Sequence, residues 1–250
     1  MKTSNKILIA GLLVTMVLIA IGASRIKGKL EELAIKPTGN VVEKTYDLTK
    51  FSKLNLRDNI EYTLIKAEEQ MVKVEMDEVW VDKLSVKISG DEHLGFDLEG
   101  YANVGQIKAT IYYTDLSMLT IKNASCKGDI VSDSLTHLVV ISGADLDATL
   151  DAKFCNLLMQ SGARATLIGT CGNLISVSES GSDLEAEKLI ADTCSSVAKS
   201  GSRSRLNVTS VMYATAESGG NISYIGSPEM KGLVTKSGGS VEKIEEGSAL

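Results

Sequence analysis

The carboxylates, thiols and hydroxyls of this chain stand in fixed relations that define which chemistry it could perform. Asp145 and Asp183 form one pair, and Asp147 and Glu185 another at the same separation in sequence. Two carboxylates serve glycoside hydrolysis when they stand about 5–10 Å apart across a cleft. One of them must be held protonated by burial or by a like charge. Arg164 falls between Asp145 and Asp183, and Arg203 follows; intervening cations oppose that condition. Asp147 and Glu185 are separated by Thr166 instead, which keeps a polysaccharide lyase or hydrolase reading open as the alternative. We read all four as solvated face residues.

The other reactive groups point the same way. Cys126, Cys155, Cys171 and Cys194 contain no Cys-x-x-Cys pair, so a zinc site is not expected. Cys155 and Cys194 lie two repeats apart in the frame developed below, about 9.6 Å at the spacing of stacked strands. A disulfide needs Cα atoms within about 7 Å, so four buried free thiols are expected. His93 and His137 are the only histidines, too few for a His-rich metal site. Trp80 stands alone and no aromatic stripe accompanies it, while Tyr112 and Tyr113 read as strand residues. The expectation is no catalytic residue, no cofactor and no metal.

What positions these groups is an internal repeat. Ser-Gly pairs recur at Ser142-Gly143, Ser161-Gly162, Ser180-Gly181, Ser200-Gly201, Ser218-Gly219 and Ser237-Gly238, at spacings of 19, 19, 20, 18 and 19 residues. Asn123-Ala124 occupies the next place upstream, where a differently built corner is expected. After each pair polar and apolar columns alternate. Asp145, Arg164, Asp183 and Arg203 begin one polar column, and the inward columns hold Leu146 with Ala148, Ala165 with Leu167, and Leu184 with Ala186. Period 2 means a strand, and a large residue matched by a small one is what close packing requires. A second strand precedes each pair, centred on Val139, Leu158, Val177, Val197, Thr215 and Val234.

Two short strands and two turns in about 19 residues leave no room for a helix. A unit of this size cannot bury its apolar face alone and must stack on its neighbours. The fold class predicted is all-β: a right-handed parallel β-helix with glycine supplying a corner at positive φ. The stacked Ser-Gly serines have no adjacent base column to activate them and read as structural hydroxyl ladders. Two outward charge rows follow, one of Asp145, Arg164, Asp183 and Arg203, the other of Glu179, Lys199, Glu217 and Lys236 preceded by Gln160. In each the sign alternates along the stack, a device that specifies register.

Ile7 to Ala23 is an uncharged run of 17 residues, with Lys2 and Lys6 before it and Arg25, Lys27 and Lys29 after. It is long for a signal peptide and short for a spanning helix. Residues 1–26 therefore read as an N-terminal membrane anchor or signal segment, and residues 27–40 as a linker. Residues 41–250 read as the β-helical domain, irregular over 41–116 and regular over 117–246. Ser89-Gly90-Asp91 marks a hairpin or bulged turn. With 26 basic against 32 acidic residues and a net charge of −6, nucleic acid is excluded as a partner.

The lattice of Ser-Gly corners, behind an entry Phe51-Ser52-Lys53-Leu54-Asn55-Leu56, resembles the auto-transporter adhesin head domain, or head GIN domain, common in Bacteroidetes. The resemblance spans roughly residues 43 to 246. It implies a β-helix behind a signal or anchor, adhesion as the role, and no catalytic residues. The chain stops at Leu250 without the amphipathic strands of a translocator barrel, so self-export is not expected. The reading is a non-enzymatic, membrane-anchored module in the periplasm or at the cell surface, held by residues 7–23 and binding or scaffolding an unidentified protein or glycan. A self-assembling structural β-helix is the further alternative. Glu242, Lys243, Glu245 and Glu246 speak against it, because charge blunts open sheet edges.

Overall fold

The computed structural model describes residues 37–98, 107–133 and 135–245. The apolar run Ile7 to Ala23 lies outside the described residues, and among those described no helix is long and apolar enough to cross a membrane. The strands are β1 (Val41–Asp47), β2 (Lys53–Leu56), β3 (Glu61–Lys66), β4 (Met71–Asp77), β5 (Leu84–Ser89) and β6 (His93–Leu98). They continue with β7 (Lys108–Tyr113), β8 (Met118–Lys122), β9 (Ser125–Ser132), β10 (His137–Ile141) and β11 (Asp145–Gln160). The last are β12 (Arg164–Ser178), β13 (Asp183–Lys199), β14 (Arg203–Glu217), β15 (Asn221–Gly226), β16 (Glu229–Lys236) and β17 (Ser240–Lys243). Together they build a parallel β-helix of about 7 turns with about 19 residues per coil.

Each long strand from β11 to β14 covers two sides of its coil, and like positions of successive coils are register partners. Asp145 pairs with Arg164, Leu146 with Ala165 and Ala148 with Leu167. On the other side Val139 pairs with Leu158, Leu158 with Val177, Val177 with Val197 and Val197 with Thr215. Leu146, Ala165, Leu167, Leu184 and Leu206 are all essentially inaccessible. The core is therefore a column of small aliphatic side chains running along the stack, and each coil buries its apolar face only because another lies above it.

The irregular first part does not stack in chain order. The coil β2–β3 lies between two later ones: Leu54 pairs with Leu94 on one side and Leu119 on the other. Tyr62 likewise pairs with Ala109 and Cys126. Strand β4 runs antiparallel to β7 and to β1, and β5 forms an antiparallel hairpin with β6 through Gly90, Asp91 and Glu92. The antiparallel strands close this end of the stack. Phe51, Tyr62, Trp80, Phe96 and Tyr113 are fully buried there, with Tyr62 and Phe96 in edge contact at 4.9 Å between ring centroids. The low aromatic content excludes an aromatic core for the whole chain, and the aromatics are concentrated where the coil is widest in sequence and least repetitive.

The corners hold two residues at positive φ, not the glycine alone. The serines lie at φ 50–58° and the glycines after them at 70–77°. Two consecutive left-handed residues define a type I′ turn, closed at the first corner by the Ala144 N–H donating to the Ile141 carbonyl at 3.3 Å. Neighbouring corners are tied through the backbone: Gly143 N–H donates to the Ser161 carbonyl at 3.0 Å, Gly162 to Ser180 at 3.1 Å, and Gly181 to Ser200 at 3.1 Å. The corner serine side chains are exposed. Hydroxyl-to-hydroxyl bonds occur instead inside the stack, from Ser176 to Ser196 at 2.9 Å and from Ser204 to Ser178 at 3.0 Å. At Asn123 only one residue has positive φ, and Ala124 is buried in the place that Ala144 holds above it. That corner is one residue shorter.

A Cβ at Gly181 would meet nothing within 4 Å, so only its φ of 70° requires glycine. Gly181→Ala is therefore expected to cost about 1–2 kcal/mol. Ser180→Asn is expected to stabilise by a few tenths of a kcal/mol, roughly, because asparagine tolerates the left-handed region. Urea unfolding of both variants checks the pair of signs.

Candidate functional site

The two charge-bearing columns are physical rows on the outside of the solenoid. Arg164 is the register partner of Asp145 and of Asp183, and Asp183 of Arg203. The Arg203 guanidinium stands 3.6 Å from the Asp183 carboxylate. In the second row the Gln160 amide donates to Glu179 at 2.9 Å, and Glu217 sits between Lys199 at 3.8 Å and Lys236 at 3.6 Å. Alternating partners at one-coil spacing attract, and each exposed pair contributes about 0.2–1 kcal/mol.

The hydrolase reading turns on Asp147 and Glu185. They line one hollow of about 400 Å³ with Thr166, Leu167, Ile168, Glu187 and Lys188. Thr166 separates them in register, and Arg205 follows Glu185 and forms an ion pair with its carboxylate. That pairing raises the Arg205 guanidinium further above its ordinary range, chiefly through the hydrogen bond to Glu185. The hollow exists because β13 bulges: Ala186 pairs with Leu206, but Ile190 already pairs with Asn207. The Ser-Gly spacings of 20 and then 18 are the trace of that bulge in sequence.

Cys155 and Cys194 share a column with Leu174 between them. Cys126, Cys155, Cys171 and Cys194 are free and buried. Burial pushes all four thiols up, Cys171 to about 11 and Cys194 to about 12. Such thiols are poor nucleophiles at neutral pH. Among the described residues no group of three or more His, Cys, Asp and Glu side chains could hold a metal ion.

A second hollow, of about 500 Å³, has no counterpart in the sequence reading. Asn173, Ile175, Thr193, Cys194, Ser195, Val211 and Tyr213 line it. Tyr213 is 50% exposed, and the column Asn156, Ile175, Ser195, Tyr213, Gly232 runs through it. A lone tyrosine flanked by serine and glycine in an outward column is the only sequence signal it leaves.

The architecture is a solenoid of stacked coils with long regular faces and shallow open hollows. The chain belongs to the family described as Putative auto-transporter adhesin, head GIN domain, whose model matches residues 50–228. The fold recurs in solved structures, among them three from Bacteroides and Parabacteroides. A protein of Bacteroides fragilis NCTC 9343, called a putative adhesin, matches with a TM-score of 0.70 at 20% identity over 84% of this chain and 99% of that one. A putative lipid binding protein of Parabacteroides distasonis ATCC 8503 gives 0.64 at 14% identity, over 85% and 100% of the two chains. A putative adhesin of Parabacteroides merdae ATCC 43184 gives 0.63 at 16% identity, over 85% and 99%. No curated protein matches the chain.

Two outcomes test this surface chemistry. Asp183→Arg puts like charges at one-coil spacing and is expected to destabilise by about 0.5–1 kcal/mol, with part of the loss restored by adding Arg203→Asp. The coupling should fade in 1 M salt, and a cycle without coupling would reduce the row to a pattern in the sequence. The thiols set the alkaline limit. Their folded values lie above the ordinary 9.0, so the stability they carry is intact below pH 9 and is lost as the pH rises towards 11–12. Urea unfolding at pH 8 and pH 10.5 should show a drop that Cys171→Ala and Cys194→Ala each reduce.

Proposed function

We propose that this chain is an exported, membrane-anchored binding module of the adhesin type, without catalytic activity. The observation that carries this reading is the family match over residues 50–228, on a scaffold of open faces in which Glu185, one of the two carboxylates weighed for hydrolysis, is tied to Arg205. The family description, and the names of its neighbours in Bacteroides and Parabacteroides, support adhesion. The Parabacteroides distasonis relative is named for lipid binding, which supports a binding role in a second chemistry.

Ile7 to Ala23, with charges on both flanks, supports an anchor that leaves the β-helix in the periplasm or at the cell surface. Residues 27–40 act as the linker and residues 41–250 as the head. The coils wind right-handed, the hand that parallel crossovers take. The charge rows hold register: a strand slipped by one residue would turn its apolar set outward and break the alternation of sign. The ligand is a protein or glycan met at the face of the stack.

Protease treatment of intact cells, of cells with a permeabilised outer membrane and of spheroplasts checks the compartment. Degradation of the head in the first places it at the surface, and in the second in the periplasm. Protection until the spheroplasts are lysed would overturn export. A panel of acidic and neutral polysaccharides should show no turnover by the full-length protein, and measurable turnover would reinstate the hydrolase reading.

A further inference from the structure

The hollow beside Tyr213 is built from three successive coils, and the middle one is cut low. Two outward columns cross it. One is Asn173, Thr193, Val211 and the other Ile175, Ser195, Tyr213, each aligned in register across β12, β13 and β14. The middle strand contributes Thr193, Cys194 and Ser195 to the floor, none of them large, while Ile175 rises on one side and Tyr213 on the other. Tyr213 leans away from the floor over Gly232: a Cβ on that glycine would lie 3.0 Å from the tyrosine Cδ1. The missing side chain at 232 is what lets the ring stand clear of Ser195 and leave the hollow open.

The width follows from the stack. Ile175 and Tyr213 are two coils apart, about 9.6 Å. A ring held between two carbon walls needs two contact distances of about 3.5–4.0 Å, or roughly 7–8 Å. One saturated six-membered ring fits with little slack. The lining is also uncharged throughout, unlike the rows of Asp145 to Arg203 and Glu179 to Lys236. Its polar groups are the Asn173 amide and the Thr193 and Ser195 hydroxyls. Thr193 donates its proton to the Gly172 carbonyl at 3.4 Å, so its oxygen faces a ligand as an acceptor. An aromatic ring, an aliphatic wall and a few hydroxyl and amide groups make an amphipathic site. Its apolar walls suit the C–H faces of a ring and its polar floor suits the hydroxyls at the ring edge.

We infer that the notch formed by Ile175, Ser195 and Tyr213 is a subsite for one neutral pyranose ring of a glycan. An acyl chain fits it less well, because the hollow is open to solvent and its floor carries the Thr193 and Ser195 hydroxyls. An acidic sugar fits less well because no cation lines it. This inference rests on the binding-module reading and gives its ligand a chemical class. A single ring in a shallow site binds in the millimolar range, so strong attachment comes from many copies acting on one polymer.

The test uses the full-length protein in nanodiscs and saturation-transfer NMR. The probes are the methyl glycosides of glucose, galactose, mannose and N-acetylglucosamine, methyl glucuronide, and a short-chain phosphatidylcholine below its micelle concentration. At least one neutral glycoside is expected to receive saturation, with its Kd raised at least tenfold by Tyr213→Ala and by Ser195→Leu, which fills the floor. Gly232→Ala, which crowds the ring back towards Ser195, should weaken binding by a smaller factor. Thermal unfolding of each variant shows that the coil persists. If a variant unfolds, loss of signal at Tyr213 in the wild-type spectrum on adding glycoside gives the same information.

The inference is overturned if no neutral glycoside binds, or if binding survives both Tyr213→Ala and Ser195→Leu. It is equally overturned if methyl glucuronide or the phosphatidylcholine binds in their place with the same dependence on Tyr213. None of these outcomes touches the compartment found by protease accessibility or the absence of turnover, so the wider reading fails or stands on its own experiments.

Discussion

The type I′ corner is the constraint on which the rest of this molecule depends. Each corner asks two consecutive residues to hold positive φ, and serine does so at a steric cost that glycine avoids. The cost is offset because the same geometry aims the glycine N–H at the serine carbonyl of the next coil. Fixing the corner fixes the phase of the strand that follows. Once Asp145 aligns with Arg164 and Asp183 with Arg203, the inward residues Leu146, Ala165, Leu184 and Ser204 align too. Core packing, charge rows and surface hollows are all consequences of one repeated turn.

Departures from that repeat are where the surface gains features. The corner at Asn123 and Ala124 is a residue short and marks the change from the irregular coils to the regular ones. The bulge in β13 lengthens one coil and opens the hollow beside Asp147 and Glu185. The second hollow lies beside two register shifts, one next to the Thr193–Val211 pair and one next to the Tyr213–Gly232 pair. Its depth comes from small residues on one coil between larger ones on its neighbours. A solenoid can thus change what it binds by altering outward residues one at a time, with the inward ones untouched.

How far the sequence discloses this depends on how local each feature is. The regular half was readable because a strand phase, a corner and an inward column repeat six times over, and any one coil predicts the others. The Cys155 and Cys194 column, two coils apart, could be placed from spacing alone. The order of the first coils could not. Nothing local to Lys53–Leu56 says that it pairs with both Leu94 and Leu119, because that depends on where β4, β5 and β6 carry the chain between. Tyr213 was equally silent. Its exposure and its lean over Gly232 follow from a register that only the stack defines.

The two ends of the stack are built on opposite principles. The first is closed by antiparallel strands over the large aromatics, and inserting β2–β3 between two later coils means that it cannot unravel one coil at a time. The last described strands, β16 and β17, carry no further partner among the described residues, and Leu233 is 57% exposed. An open edge with an uncovered apolar column invites another strand. Here the edge carries Glu229, Lys231, Lys236, Glu242 and Lys243, with Lys231 and Glu229 paired to each other and Lys236 turned back to Glu217. A second chain adding to β16 would have to bury or displace those paired charges, and desolvating them opposes the gain from covering Leu233. The same alternation of sign that sets register within the stack therefore also limits its growth beyond the last coil.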